Sequence, residues 1–381
     1  MKTALDSQVS DLMDILRGVS ALIVAFVHSF QIFCLPYFGL YGASHLFTSW
    51  LATYAVVTFF IVSGFMIRLS VANHQDESGF KVGSFFKARL LRIYPPLLAS
   101  LAICVGVFVL VNSLDIHGAE SFRLGTELFL SREKIAIEWE RFIPTLLLVY
   151  NIVPGSSPPL SINGPLWTLS YEWWFYLFVM LAVHAATNKT SPLRYLPVLL
   201  VLVLFMWSPA GRLLWIFLLI WGGGYLLAHL YKSGKLLQAR FGRILGLSIV
   251  VCILGIIAVG GEQTLVYLVE PLQRHGAQGD KTMMFVGFIL TALIGLMIKG
   301  KIRVRFLSGT ARYSYTLYLI HFPLQLLAFG LLHQRLYGQH WSLSMAAGLA
   351  VTLLIVALAA QVAKVVENRE LINQALKRWK L

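Results

Sequence analysis

Long apolar runs separated by short charged loops recur from one end of the chain to the other. Nine of them read as candidate membrane spans: 15–35, 46–70, 93–114, 165–187, 213–231, 244–260, 282–298, 312–333 and 343–363. A helix needs about 20 apolar residues to cross roughly 30 Å of hydrocarbon. Two further runs, 142–153 and 195–207, are of ambiguous length.

Loop charge helps to decide the count. Lys and Arg gather in 81–92, 232–243 and 299–305, and in the tail at Lys377, Arg378 and Lys380, which the positive-inside rule assigns to the cytoplasm. The mixed-charge segments 115–141 and 261–281 then fall outside. Parity requires one short run to cross. The run 195–207 is favoured, because Glu138, Glu140 and Arg141 precede the other. The expected fold is an all-α polytopic membrane protein of about ten transmembrane helices with both termini cytoplasmic. Its transmembrane domain covers 1–363, and 364–381 forms a cytoplasmic tail. In that tail Leu371, Ile372, Ala375 and Leu376 recur at helical spacing, as in a membrane-surface helix or equally a solvated helix end. Segment 115–141 reads as interfacial and amphipathic. Asp6, Asp11 and Asp14 replace the basic start of a signal peptide and no small-residue cleavage site follows, so the first run is expected to stay as a span. No internal repeat or soluble domain stands out.

Composition agrees with this pattern. Of 381 residues, 58% are hydrophobic and 13% charged, against about 25% charged in soluble domains. The mean hydropathy is +0.74. A net charge of +14 could point to nucleic acid, but the basic residues sit in short loops, so no nucleic-acid partner is expected. Cys34, Cys104 and Cys252 lie within or beside apolar runs without metal-ligand or redox spacing and read as packing residues.

Ionisable groups inside spans are expensive and mark sites, pathways or paired contacts. Arg17 and His28 are eleven residues apart on the first span. That brings them within about 20° of one face, roughly 16 Å apart along the axis, as two ends of one cavity. Asp14 lies three residues before Arg17 and can orient it. The bland readings are a snorkelling arginine and a hydrogen-bonded core histidine. Lys87, Arg89 and Arg92 precede Tyr94-Pro95-Pro96, where the two arginines share a face suited to phosphate or to ordinary positive-inside charge. Glu172 falls about two turns inside its span among Trp167, Tyr171, Trp173, Trp174 and Tyr176, and is expected to meet a cation or to donate a hydrogen bond itself. Ser314, Tyr318, His321 and Gln325 form one polar stripe, which inter-helix hydrogen bonding explains about as well as a site.

Taken in order, these motifs resemble those of the bacterial acyltransferase 3 family of membrane O-acyltransferases, from about Leu12 to Pro323. The resemblance rests on Arg17 through His28, on Phe59-Phe60-Ile61-Val62-Ser63-Gly64-Phe65, and on Arg89, Arg92 and Pro95. It continues in Trp167 through Glu172 with Phe175-Tyr176, and in Tyr318-Leu319-Ile320-His321-Phe322-Pro323. Ala55 and Val57 depart from the family pattern, and Val366-Glu367-Asn368-Arg369 lacks its usual proline. The chain is expected to be a stand-alone membrane domain, without the extracytoplasmic hydrolase-like domain many members carry.

The resemblance implies transfer of an acyl group, usually acetyl, from cytoplasmic acyl-CoA to a hydroxyl of a cell-surface or exported polysaccharide at the bacterial inner membrane. His28 is then the candidate base, with Arg17, Asp14 and Glu172 as its catalytic company. Arg89, Arg92, Lys87 and Tyr94 are assigned to the donor's coenzyme A, and Ser63, Trp167, Tyr171, Tyr318 and His321 to the substrate. The chemistry calls for no metal. Partners are the carbohydrate acceptor, acyl-CoA and the bilayer, with a homo-oligomer left open. The alternatives are a transporter or exporter of a glycan or lipid intermediate, and an acyltransferase whose acceptor is a macrolide, a lipid or a small amine.

Overall fold

The structure, a computed structural model, describes residues 6–38, 43–77, 79–116, 123–124, 127–128, 135–187, 191–261, 277–302, 308–336 and 338–378. Most of the interfacial segment expected over 115–141, most of 261–281, the end of the basic loop 299–305, and Lys380 lie outside the described residues.

The chain is helical, as the apolar runs require: in hydrocarbon each backbone N–H and C=O must be satisfied within the segment. The helices are α1 (Ser7–Phe33), α2 (Leu35–Phe38), α3 (Ala43–Asn73), α4 (Val82–Ser113) and α5 (Trp139–Leu147). Next come α6 (Trp167–Thr187), α7 (Leu196–Met206), α8 (Arg212–Lys232) and α9 (Ala239–Gly260). The series ends with α10 (Ala277–Lys299), α11 (Ser314–Leu336), α12 (Trp341–Val366) and α13 (Arg369–Arg378). Among the described residues, nine helices are long and apolar enough to cross a membrane. This is a multi-pass, all-α membrane protein.

The two ambiguous runs both form short helices, and neither is among the nine long enough to cross. Residues 142–153 contribute only to α5, nine residues that end where Leu148 turns left-handed at φ 56°. At 1.5 Å per residue that helix is about 14 Å long, less than half the hydrocarbon thickness. The other run forms a shorter apolar helix over Pro192–Met206, started by Ser191, whose hydroxyl caps Leu193 N.

The chain divides into two compact units. The first comprises Met1–Ser20, Ala52–Arg89 and Tyr171–Ala311; the second comprises Ala21–Leu51, Leu90–Ser170 and Arg312–Leu381. In the first, α10 packs on both α8 and α9. There α3 meets α8 backbone to backbone, because a Cβ on Gly64 would fall 2.0 Å from Trp221 O. Small residues at such contacts let membrane helices approach closely. In the second unit α11 packs on α12 and on the 3₁₀ turn Ser161–Leu166. Helix α11 has 67% of its apolar window buried, against 11% for α9, so α11 is a core helix and α9 faces lipid.

Candidate functional site

The second unit holds a histidine pair. His28 of α1 stacks on His321 of α11, with ring centroids 5.4 Å apart and planes 24° from parallel. The edge of Phe322 meets His28 at 5.3 Å. His28 Nδ1 lies 3.0 Å from Gln31 Oε1, one turn further along α1. His321 Nδ1 lies 3.1 Å from the Leu317 carbonyl. A carbonyl only accepts, so Nδ1 carries the proton in the neutral ring and Nε2 is left as the acceptor nitrogen. That Nε2 is buried without a hydrogen-bond partner.

The polar stripe of α11 is buried throughout: Ser314, His321 and Gln325 are wholly covered and Tyr318 nearly so. Its members serve different neighbours. Tyr318 OH donates to Pro165 O at 2.7 Å and lies 2.8 Å from Thr168 Oγ1. Gln325 Nε2 donates to Ala25 O of α1 at 2.8 Å, which leaves its Oε1 buried and unpartnered. Two buried donors from outside the helix, Ser100 and Asn163, meet the Leu319 carbonyl.

The first unit holds a different polar cluster. Glu172 Oε1 accepts from Ser63 Oγ at 2.8 Å and from Tyr176 OH, and Trp221 Nε1 donates to Ser63 Oγ at 3.2 Å. The Arg89 guanidinium lies 5.9 Å from the centre of the Tyr176 ring and 5.6 Å from that of Phe85. The hydrogen bonds to Glu172 come from hydroxyls, so its Oε1 accepts where a cation or a donating carboxyl was expected. Tyr171 packs its ring against Phe175 and Phe217. Near the start of α1, Arg17 Nη2 donates to Asp14 Oδ1 at 3.2 Å, as the i, i+3 spacing predicts, and to Ala311 O at 3.1 Å. A Cβ on the next residue, Gly18, would fall 1.8 Å from Thr310 Oγ1, so glycine admits this turn against the helix.

The two arginines expected to act together lie three residues apart on α4. Arg92 lies 3.7 Å from Glu367 Oε2, with its guanidinium 5.3 Å from the Tyr315 ring centre. Glu367 Oε1 also accepts from Thr316 N at 3.1 Å and Thr316 Oγ1 at 2.7 Å. A carboxylate there caps α11 and complements its dipole. Lys87 is exposed, and Tyr94 and Trp167 are half-buried.

Of the expected site residues, the structure brings together His28 with His321, Arg17 with Asp14, and Glu172 with Ser63. Sequence reasoning gave no role to Gln31, Trp221, Asn163 or Glu367. Gln31 was open to discovery, as an amide one helical turn from His28. The other three meet partners far away in sequence.

Comparison with known proteins gives three findings. The sequence profile of a family described as an acyltransferase domain matches residues 11–361. Acyltransferase MdmB of Streptomyces mycarofaciens is 32% identical over 136 residues, 36% of this chain and 30% of the relative. Nodulation protein 10 of Rhizobium leguminosarum bv. viciae is 28% identical over 167 residues, 43% of this chain and 41% of the relative. Protein 2 in the picA locus of Rhizobium radiobacter is 28% identical over 196 residues, 48% and 84%. The chain thus spans less than half the length of the first two. No solved structure matches it.

Proposed function

The chain belongs to the acyltransferase 3 family, and from that premise we propose that it transfers an acyl group, in the first instance acetyl, from cytoplasmic acyl-CoA to a hydroxyl of a cell-surface or exported polysaccharide at the bacterial inner membrane. The observation that carries this reading is the His28–His321 stack in the second unit.

Acyl transfer to an alcohol needs a base for the hydroxyl proton. With the Nδ1 proton of His28 directed at Gln31, Nε2 is its basic nitrogen. The acceptor hydroxyl gives its proton to that Nε2 as its oxygen attacks the thioester carbonyl. The C–O bond forms, the C–S bond breaks, and the thiolate leaves with the proton from His28. His321 and Phe322 hold the plane of the His28 ring.

Other residues have supporting roles in this reading. Arg17, oriented by Asp14, serves the donor's thioester end. Arg89, Arg92, Lys87 and Tyr94 serve the phosphates and nucleotide of coenzyme A, with guanidinium groups suited to phosphate oxygens. Half-buried Trp167 offers a ring to the acceptor. Ser63, Glu172, Tyr171 and Tyr318 act through packing in this reading: Ser63 donates to Glu172, Tyr171 packs on Phe217, and Tyr318 donates to Pro165 O. Three buried acceptor atoms of the second unit, His321 Nε2, Gln325 Oε1 and Asn163 Oδ1, have no donor. Buried polar groups normally find partners, and a hydroxyl-rich acceptor supplies donors of that kind.

Mass spectrometry of surface glycans with and without the gene tests the proposal. The expected result is loss of one ester-linked acyl mass from a surface polysaccharide. Unchanged glycan masses, with purified protein that binds no acetyl-CoA, would contradict it.

A further inference from the structure

Pro323 stands inside α11. It has no N–H for the Leu319 carbonyl one turn earlier. A carbonyl freed in this way inside a membrane protein has to be satisfied by neighbouring groups. Ser100 Oγ donates to Leu319 O at 2.6 Å and Asn163 Nδ2 at 2.8 Å. Asn163 Nδ2 also reaches Ser100 Oγ at 3.2 Å. Both side chains are wholly buried. Asn163 has φ −144° and ψ 61°, a non-helical residue within the 3₁₀ turn that packs on α11.

His321 lies midway between Leu319 and Pro323, on the stretch that lacks its helical bond. Backbone freed there is less constrained than in an unbroken helix, so the direction of the His321 ring depends on what holds the Leu319 carbonyl. The ring that depends on it is the one stacked on His28.

We propose that Asn163 and Ser100 are positioning residues for the histidine pair: by capping the carbonyl that Pro323 frees, they fix the segment of α11 that carries His321. This rests on the reading of His28 and His321 as the groups that act at the acceptor hydroxyl. A misplacement of about 1 Å in such a pair can cost up to 10²-fold in rate.

The experiment is a double-mutant cycle on the full chain in membranes. The probes are acetyl-CoA and surface polysaccharide from a strain lacking the gene, with CoA thiol release as the readout. Asn163→Ala is expected to lower kcat about tenfold or more, with KM for acetyl-CoA unchanged and the pH profile of kcat altered. Ser100→Ala, a milder change, is expected to act in the same direction, and Ser100→Thr to restore activity by keeping the hydroxyl. Pro323→Ala returns an N–H to Leu319 O, so in that background Asn163→Ala is expected to have little further effect. Equal kcat losses from Asn163→Ala with and without Pro323, or losses that only track the amount of folded protein, would overturn the positioning role. Should Asn163→Ala not fold, the Ser100 variants decide by the same cycle. Full transfer by His28→Ala would instead overturn the underlying functional reading, so the two failures are distinguishable.

Discussion

The two units solve the problem of polar groups in a membrane differently. In the first, Glu172 is surrounded by its own donors: Ser63 and Tyr176 give hydrogen bonds to Oε1, and Trp221 holds Ser63. In the second, three buried side chains each direct a donor at a backbone carbonyl while an acceptor on the same side chain is left over. His321 bonds Leu317 O, Gln325 bonds Ala25 O and Asn163 bonds Leu319 O, yet His321 Nε2, Gln325 Oε1 and Asn163 Oδ1 are buried without partners. A closed network fixes structure. An open one, oriented by its own donors, is prepared for hydroxyl donors from a substrate. We read the open network as the place of the acceptor and the Glu172 network as support.

Substitutions in the two networks should act differently. The largest effect is expected from His321→Phe, which keeps a ring against His28 but removes both nitrogens. It should lower kcat about 10²-fold with the melting temperature in detergent nearly unchanged; activity close to wild type would remove His321 from the site. Glu172→Ala should do the opposite. It leaves Ser63 and Tyr176 without their acceptor and should cost about 1–3 kcal/mol of stability, read as a lower melting temperature, while Glu172→Gln loses less. A catalytic collapse of Glu172→Gln without loss of stability would show that the first unit does chemistry as well. Gln325→Met should raise KM for the acceptor severalfold and leave KM for acetyl-CoA alone; an effect on the donor only would contradict the open-network reading. The smallest effect is expected from Glu367→Gln, which weakens a partly exposed ion pair with Arg92 worth less than about 1 kcal/mol. A large loss of folded protein there would give the α11 cap more weight than its geometry implies.

Much of this architecture was legible because burial in lipid leaves a long, uniform signal. Runs of some 20 apolar residues dominate any local preference, whereas the short runs 142–153 and 195–207 carry no such signal and form only short helices. The Asp14–Arg17 pair followed from spacing alone. Glu172 was recognisable as needing a partner, and Tyr176, one turn on, was within reach of that argument. Trp221 was not, since its contact with Ser63 exists only because Gly64 lets α3 and α8 touch. The α11 stripe was correctly singled out, but its periodicity could not say that Tyr318 and Gln325 bond backbone while His321 meets His28. Asn163 was given no role by its sequence. Its partner is a main-chain carbonyl 156 residues away, and a freed carbonyl has no signature in the side-chain sequence beyond the proline that frees it. Glu367 stood out only as part of a departure from the family pattern, although it caps the helix that carries His321.

The most direct test of the central claim is acyl transfer by purified His28→Ala, measured beside acetyl-CoA binding to the same preparation. Normal folding and normal acetyl-CoA binding are expected, with transfer to the polysaccharide reduced by about 10²-fold to 10⁴-fold. Transfer at the wild-type rate by a folded, donor-binding His28→Ala protein would contradict it.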